Sequence, residues 1–200
     1  MKKIVYLHGL GGGAGSDIPR VLKAEIGQDY EIYNPELPIE PSYGVAYASR
    51  ILLQIQPDLV IGHSLGGFYA MLLQGPWKTL LVNPAMRPAL DVKNAPGLGL
   101  GKYPFDKGIR ADGAKYIIVD ENFINELNEL FNIYRKELKK DNRQNVYALF
   151  TDSDELFSHI DDFSWDYRKK NMKIIQGEKH SLSDEAIKNE LIPFAIKLLK

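Results

Sequence analysis

No cysteine occurs in the 200 residues. Its absence excludes disulfides, thiolate metal sites and thiol nucleophiles together, and fits a reducing compartment. Long apolar runs are missing as well: nothing approaches the ~20 residues of a membrane span. The opening MKKIVYLHGL carries a basic pair, but only four apolar residues precede His8, too few for the apolar core of a secretory leader. A cytoplasmic protein with no membrane span is expected. An excess of one charge is lacking too. The 25 Lys and Arg are dispersed among 26 Asp and Glu, so no basic stripe exists to neutralise a phosphate backbone, and nucleic acid is not an expected partner.

What is present is a 44% apolar composition in a chain long enough to bury about 70% of its unfolded surface as one domain spanning 1–200. Short β-branched runs alternate with longer helical patterns. KIVYL (Lys3 to Leu7), YEIYN around Ile32, DLVIG ending at Gly62, TLLVN (Thr79 to Asn83), NVYALF (Asn145 to Phe150) and MKIIQ (Met172 to Gln176) are of strand length and bounded by turn-forming residues. Helical candidates lie between them at Ile18 to Ile26, Tyr43 to Gln56, Leu65 to Leu73 and Ser183 to Leu199. This alternation predicts an α/β fold, a mostly parallel sheet of about six strands with helices on both faces. Continuous apolar strands agree with it.

One segment breaks the rhythm. Residues 84–140 contain Pro84, Pro88, Pro96 and Pro104 with Gly97, Gly99 and Gly101, and then an amphipathic helix carrying Phe123, Leu127, Leu130 and Tyr134 on one face. It is too long for an ordinary connection. The expectation is a cap-like insertion between the fourth and fifth strands, irregular in its first half, with the helix laid over the body of the domain.

The stretch VIGHSLGGFYAMLL, Val60 to Leu73, places Ser64 between Gly62 and Gly66 where a strand ends and an apolar helix begins. A serine on such a turn is held in a strained conformation that lifts its hydroxyl off the carboxyl edge of the sheet, while small residues on either side let strand and helix pass. The helix N-terminus behind it offers free N–H groups where an oxyanion would form. The pentapeptide alone is a weak signal; its position between strand and helix makes Ser64 a candidate nucleophile.

A serine hydroxyl needs a base to take its proton, and the base needs an acid to orient it. In chain order Ser, acid, His, the partners should follow later strands. TDSDELF after the fifth strand offers Asp152, Asp154 and Glu155, and GEKHSLSD after the sixth offers His180. Asp154 is the expected acid, four residues beyond Phe150 where the chain can turn toward the site, with Asp152 its closest rival. His180 is the expected base. His63 is read as turned away from the serine, His159 as solvated in a charged helical stretch and His8 as part of another loop, whereas Ser183 reads as a helix N-cap that leaves His180 free on its loop.

The loop after the first strand, YLHGLGGGAGS, supplies an expected second oxyanion donor: the backbone N–H of Leu10, with Gly11 as alternate, beside that of Leu65. It also admits a competing reading. Gly9 to Ala14 fits the dinucleotide fingerprint GxGxxA, with Glu31 or Glu36 as a ribose partner, but that reading leaves Ser64, Asp154 and His180 unexplained. No GK[ST] follows, so a P-loop is excluded.

Taken together, YLHGLGG, GHSLGGFYA, VNPAMRP, TDSDELF and GEKHSL resemble the small bacterial α/β-hydrolases of the YqiA/YcfP esterase type along almost the whole chain, VNPAMRP being the narrowest of these matches. The resemblance implies Ser64 as nucleophile, Asp154 as acid and His180 as base, esterase or thioesterase activity on small-molecule acyl substrates, and no cofactor or metal. It thins over about Asp91 to Lys140, the segment expected to cover the pocket. On the cap-like insertion Arg87, Tyr103 and Phe105 are candidates for the acyl site, each with surface charge or simple packing as its competing role. A fold that keeps these motifs can also serve as a non-catalytic binding protein, which labelling of Ser64 by a fluorophosphonate would distinguish from an enzyme.

Overall fold

Six parallel strands frame the molecule in the computed structural model, which describes residues 1–105, 110, 113–138 and 140–200. The strands are β1 (Lys2–Leu7), β2 (Tyr30–Tyr33), β3 (Leu59–His63), β4 (Lys78–Val82), β7 (Val146–Thr151) and β8 (Met172–Ile175). They lie in the order β2-β1-β3-β4-β7-β8, with every neighbouring pair parallel. All six coincide with apolar runs of the sequence. The reason is visible in their burial: Val5 and Leu7 of β1 point into one apolar cluster and Ile4 and Tyr6 into another. With both faces covered, the inner strands must be apolar at odd and even positions alike, whereas the edge strands β2 and β8 keep half-buried or exposed positions.

Right-handed crossovers need helices, and these lie on both faces. On one face α1 (Asp17–Glu25) packs with the C-terminal helix, which runs as α7 (Asp184–Ala186), a π-helical turn over Ile187–Leu191 and α8 (Ile192–Leu199). Ser183 caps it, its hydroxyl accepting from the Ala186 N–H. The wide turn immediately precedes Pro193, which has no N–H to give to the carbonyl one turn back. On the other face lie α2 (Pro41–Ile55), the almost wholly buried α3 (Leu65–Leu72), and α5 (Glu121–Glu137) with α6 (Ile160–Asp166).

Between β4 and β7 the chain makes its long excursion. Where the proline and glycine content suggested irregular backbone, the structure has α4 (Pro88–Asn94) followed by an antiparallel ribbon of β5 (Gly101–Pro104) and β6 (Tyr116–Val119). Pro88 does not prevent the helix because at its first turn no N–H is needed. Asp120 then caps α5, accepting from the Phe123 N–H at 2.8 Å. Phe123, Ile124, Leu127, Leu130 and Tyr134 bury one face of α5 against α2, α3 and α4.

The topology fixes where a site can form. After β1 the chain moves to one edge of the sheet, and after β2 it returns to the other side as β3. The carboxyl ends of β1 and β3 therefore diverge into a crevice, the position where open α/β sheets bind ligands. Gly9 follows one of those ends and Ser64 the other.

Candidate active site

Ser64 joins β3 to α3 with φ 55° and ψ −121°, a conformation that L-residues other than glycine rarely adopt. The surroundings enforce it. Its N–H donates to Val82 O at 3.1 Å, and its carbonyl accepts from Gly67 N at 2.9 Å and Ala85 N at 3.0 Å. The crossing of strand, helix and neighbouring loop is close: a Cβ on Gly66 would stand 2.1 Å from Leu7 O, and one on Gly9 would stand 2.8 Å from the Ser64 Cβ. The small residues read from the sequence as clearance around Ser64 are thus required by contact, and they bring the β1 loop against Ser64.

Asp154 and His180 meet across 26 residues of sequence. Asp154 Oδ2 and His180 Nδ1 are 2.8 Å apart, with both side chains almost wholly buried. Asp154 Oδ1 accepts from the Leu156 and Phe157 N–H groups at 2.9 and 3.1 Å. Burial opposes ionisation of this carboxyl, but His180 and the two backbone donors outweigh it and hold Asp154 below the usual carboxylate range. An ionised Asp154 makes Nδ1 of His180 the donor, so Nε2 of the neutral ring is an acceptor. That Nε2 is buried and has no hydrogen-bond partner among the described residues. His180 lines the same cleft as Ser64. Asp152, the rival acid, instead accepts from the Gly177 N–H at 2.8 Å.

The loop carrying His180 is fixed by groups the motif search did not single out. Asn83, at φ 39°, donates through Nδ2 to His180 O at 2.9 Å and Thr151 Oγ1 at 3.0 Å, and its Oδ1 accepts from Thr151 N at 2.9 Å. Glu155 accepts from His180 N at 2.9 Å. Phe157 sets its ring edge-on to the imidazole at 4.8 Å between centroids. Only an asparagine just past a strand end, before Pro84, hinted at the first of these.

His63 does not turn away from the site. It lines the cleft beside Ser64, and its Nε2 donates to His180 O at 3.0 Å. Burial, reinforced by the nearby His180, pulls its pKa down to about 3, so it is neutral. His159 is not solvated either. It is buried between Asp162 at 2.7 Å and Asp91 at 2.9 Å, because α6 packs it against α4 rather than leaving it on a free face. His8 accepts from the Leu37 N–H at 2.9 Å through Nε2, in the loop after β1 as expected.

Neither the Leu10 nor the Leu65 N–H is engaged by another described residue. Leu10 and Ser64 line a cleft of about 430 Å³ whose far wall comes from the excursion, including Pro96, Leu98 and Tyr103. Leu10 and Leu65 also line a separate cavity of about 20 Å³. Of the other residues named on the excursion, Phe105 lines the small cavity and Arg87 pairs with Asp162. Glu36, weighed as a ribose partner, is ion-paired with Arg110 at 3.1 Å. No cluster of three or more His, Asp or Glu among the described residues could hold a metal ion.

Sheet order, crossovers and the Ser64 turn define an α/β-hydrolase fold. Est1E from Butyrivibrio proteoclasticus shares it at a TM-score of 0.68 and 18% identity, over 99% of this chain and 88% of that one. The esterase domain of a Rhodothermus marinus protein superposes with a TM-score of 0.65 at 16% identity, covering 100% and 88%. A thioesterase domain from the curacin biosynthetic pathway does so with a TM-score of 0.57 at 13% identity, covering 100% and 91%. No curated protein matches in sequence. Within this class the chain belongs to the family described as uncharacterised protein family UPF0227, whose model matches residues 3–195. It is a small α/β-hydrolase of the YqiA type, in agreement with the resemblance carried by its motifs.

Proposed function

We propose that the protein is a serine hydrolase that cleaves carboxylic esters through an acyl-serine intermediate, with Ser64 as nucleophile, His180 as general base, Asp154 as its orienting acid and the Leu10 and Leu65 amides as oxyanion donors. The observation that carries this reading is His180, its Nδ1 held by Asp154 at 2.8 Å and its buried Nε2 unpartnered among the described residues, on a residue that lines one cleft with the strained Ser64. Such a nitrogen is a base awaiting a proton. Ser64 Oγ would attack the ester carbon while Nε2 takes its proton. The C–O bond to the alcohol would then break as the imidazolium returns that proton to the leaving oxygen, and water would repeat the sequence on the acyl-serine. The segment of residues 84–140 would act as a cap over the cleft. The esterase domain of the Rhodothermus marinus protein, which shares the fold at low identity, supports this reaction class.

The test is hydrolysis of p-nitrophenyl esters by wild type and Ser64→Ala, with fluorophosphonate labelling of both. Ser64→Ala should abolish labelling and lower kcat/KM on the order of 10⁵-fold. Labelling that persists in the variant, or no turnover of any ester or thioester by wild type, would overturn the assignment.

A further inference from the structure

The residue that precedes Ser64 in the chain is bonded to the backbone of the base. We infer that His63 is a positioning residue that fixes the spacing between Ser64 and His180 by holding the His180 carbonyl; this rests on the acyl-serine reading above.

Strand geometry brings it there. Leu59 and Ile61 of β3 lie in the apolar cluster shared with α1 and the C-terminal helix, and side chains two residues apart on a strand share a face. His63, the last residue of β3, belongs to the same row, on the face where the chain runs from β8 into α7 and carries His180. Its Nε2 donates to His180 O at 3.0 Å. The same oxygen accepts from Asn83 Nδ2 at 2.9 Å, and Glu155 accepts from the His180 N–H at 2.9 Å.

The three ties are not equivalent. Asn83 follows β4 and Glu155 lies on the loop after β7, whereas His63 belongs to β3, paired with a strand on either side. It is also the covalent neighbour of Ser64. One peptide bond and one hydrogen bond thus connect the nucleophile to the main chain of the base, and a strand holds such a geometry more closely than a loop does. The tie carries no charge. The two imidazole rings stand 5.0 Å apart between centroids, and burial, with His180 beside it, keeps His63 neutral. No second cation therefore opposes the imidazolium that His180 must become. Without this donor the ring of His180 is freer to drift against Ser64, and a misplacement of about 1 Å can lower the rate on the order of 10²-fold.

The experiment measures p-nitrophenyl acetate hydrolysis, the rate of fluorophosphonate labelling and the thermal midpoint for wild type, Ser64→Ala, His63→Phe, His63→Asn and His63→Gln. Phenylalanine keeps the ring without a donor, asparagine has a donor too short to reach, and glutamine places its Nε2 near that of histidine. His63→Phe should lower kcat and the labelling rate roughly 10- to 100-fold with little change in KM, and His63→Gln should recover most of the loss. His63→Asn makes the same comparison if His63→Phe does not fold. Undiminished kcat in the folded donorless variant would overturn the inference, and so would an equal loss in His63→Gln. A raised KM with kcat kept would overturn it too, making His63 a substrate contact in the cleft it lines. Equal rates for wild type and Ser64→Ala would instead remove the serine mechanism itself.

Discussion

Asn83 shows how a residue outside the motif can govern the site. Its left-handed backbone turns the chain off β4, and its amide ties the carbonyl of His180 to the end of β7. Glycine tolerates that backbone conformation but has no amide. Asn83→Gly should therefore keep the fold and lower kcat by roughly 10- to 100-fold with little change in KM, the effect of letting a catalytic ring drift by about an ångström. Steady-state kinetics check it, and an unchanged kcat would show that the His180 loop holds itself. Asp154→Asn should lower kcat on the order of 10⁴-fold, because an amide can present its NH₂ to Nδ1 and favour the other tautomer; its pH–rate profile and kcat are the readout. As candidates, Ser64, Asp154 and His180 could be picked from chain order and the ends of strands. Asn83 could not, because its role depends on a carbonyl nearly a hundred residues away.

At the scale of elements, the strand-to-helix turn is a packing problem before it is a catalytic one. Gly66 lies so close to Leu7 that an added methyl group must move backbone. Gly66→Ala should lower unfolding free energy by roughly 2–3 kcal/mol or more, read from the urea midpoint at unchanged m-value. On the excursion, Leu127 is fully buried at the centre of the α5 face, and its spacing with Phe123 and Leu130 identified that face from sequence. The six sheet strands were equally legible, the inner ones because a strand buried on both sides has to be a nearly unbroken apolar run, the edge strands β2 and β8 because apolar residues still dominate them. The β5–β6 ribbon was not, because Tyr116 and Ile118 alternate outward with Ile117 and Val119 inward in a stretch whose prolines and glycines read as loop. α6 was read only as a charged, solvated helical stretch at His159, without bounds, for a related reason: IDDFSWD buries Phe163 and leaves Trp165 exposed, a pattern with no apolar face to announce it.

The whole molecule responds to pH through histidines of opposite sign. Burial and the neighbouring His180 hold folded His63 at about 3, while its unfolded value is about 6.5. As pH falls below ~6.5 the unfolded chain binds a proton that the folded chain refuses, so stability is lost. His8, pulled down mainly by burial, adds in the same direction. Around His159 burial opposes protonation, but the hydrogen bonds and charges of Asp91 and Asp162 outweigh it and raise its pKa; Arg87 completes the group by pairing with Asp162. The stability from His159 is complete below ~6.5 and drains as pH rises through its raised value. Thermal midpoints from about pH 4 to 9 should thus show His63→Gln flattening the acid limb, and His159→Gln destabilising most at the acid end with the deficit shrinking toward alkaline pH. The sequence by itself determined the alternation of strands and helices, the order of Ser64, Asp154 and His180 along the chain, and the fold these imply, because backbone periodicity and chain order are local properties. Tertiary structure alone decided which histidines are buried and what holds the His180 loop. Those depend on distances between segments far apart in sequence, which no local pattern encodes.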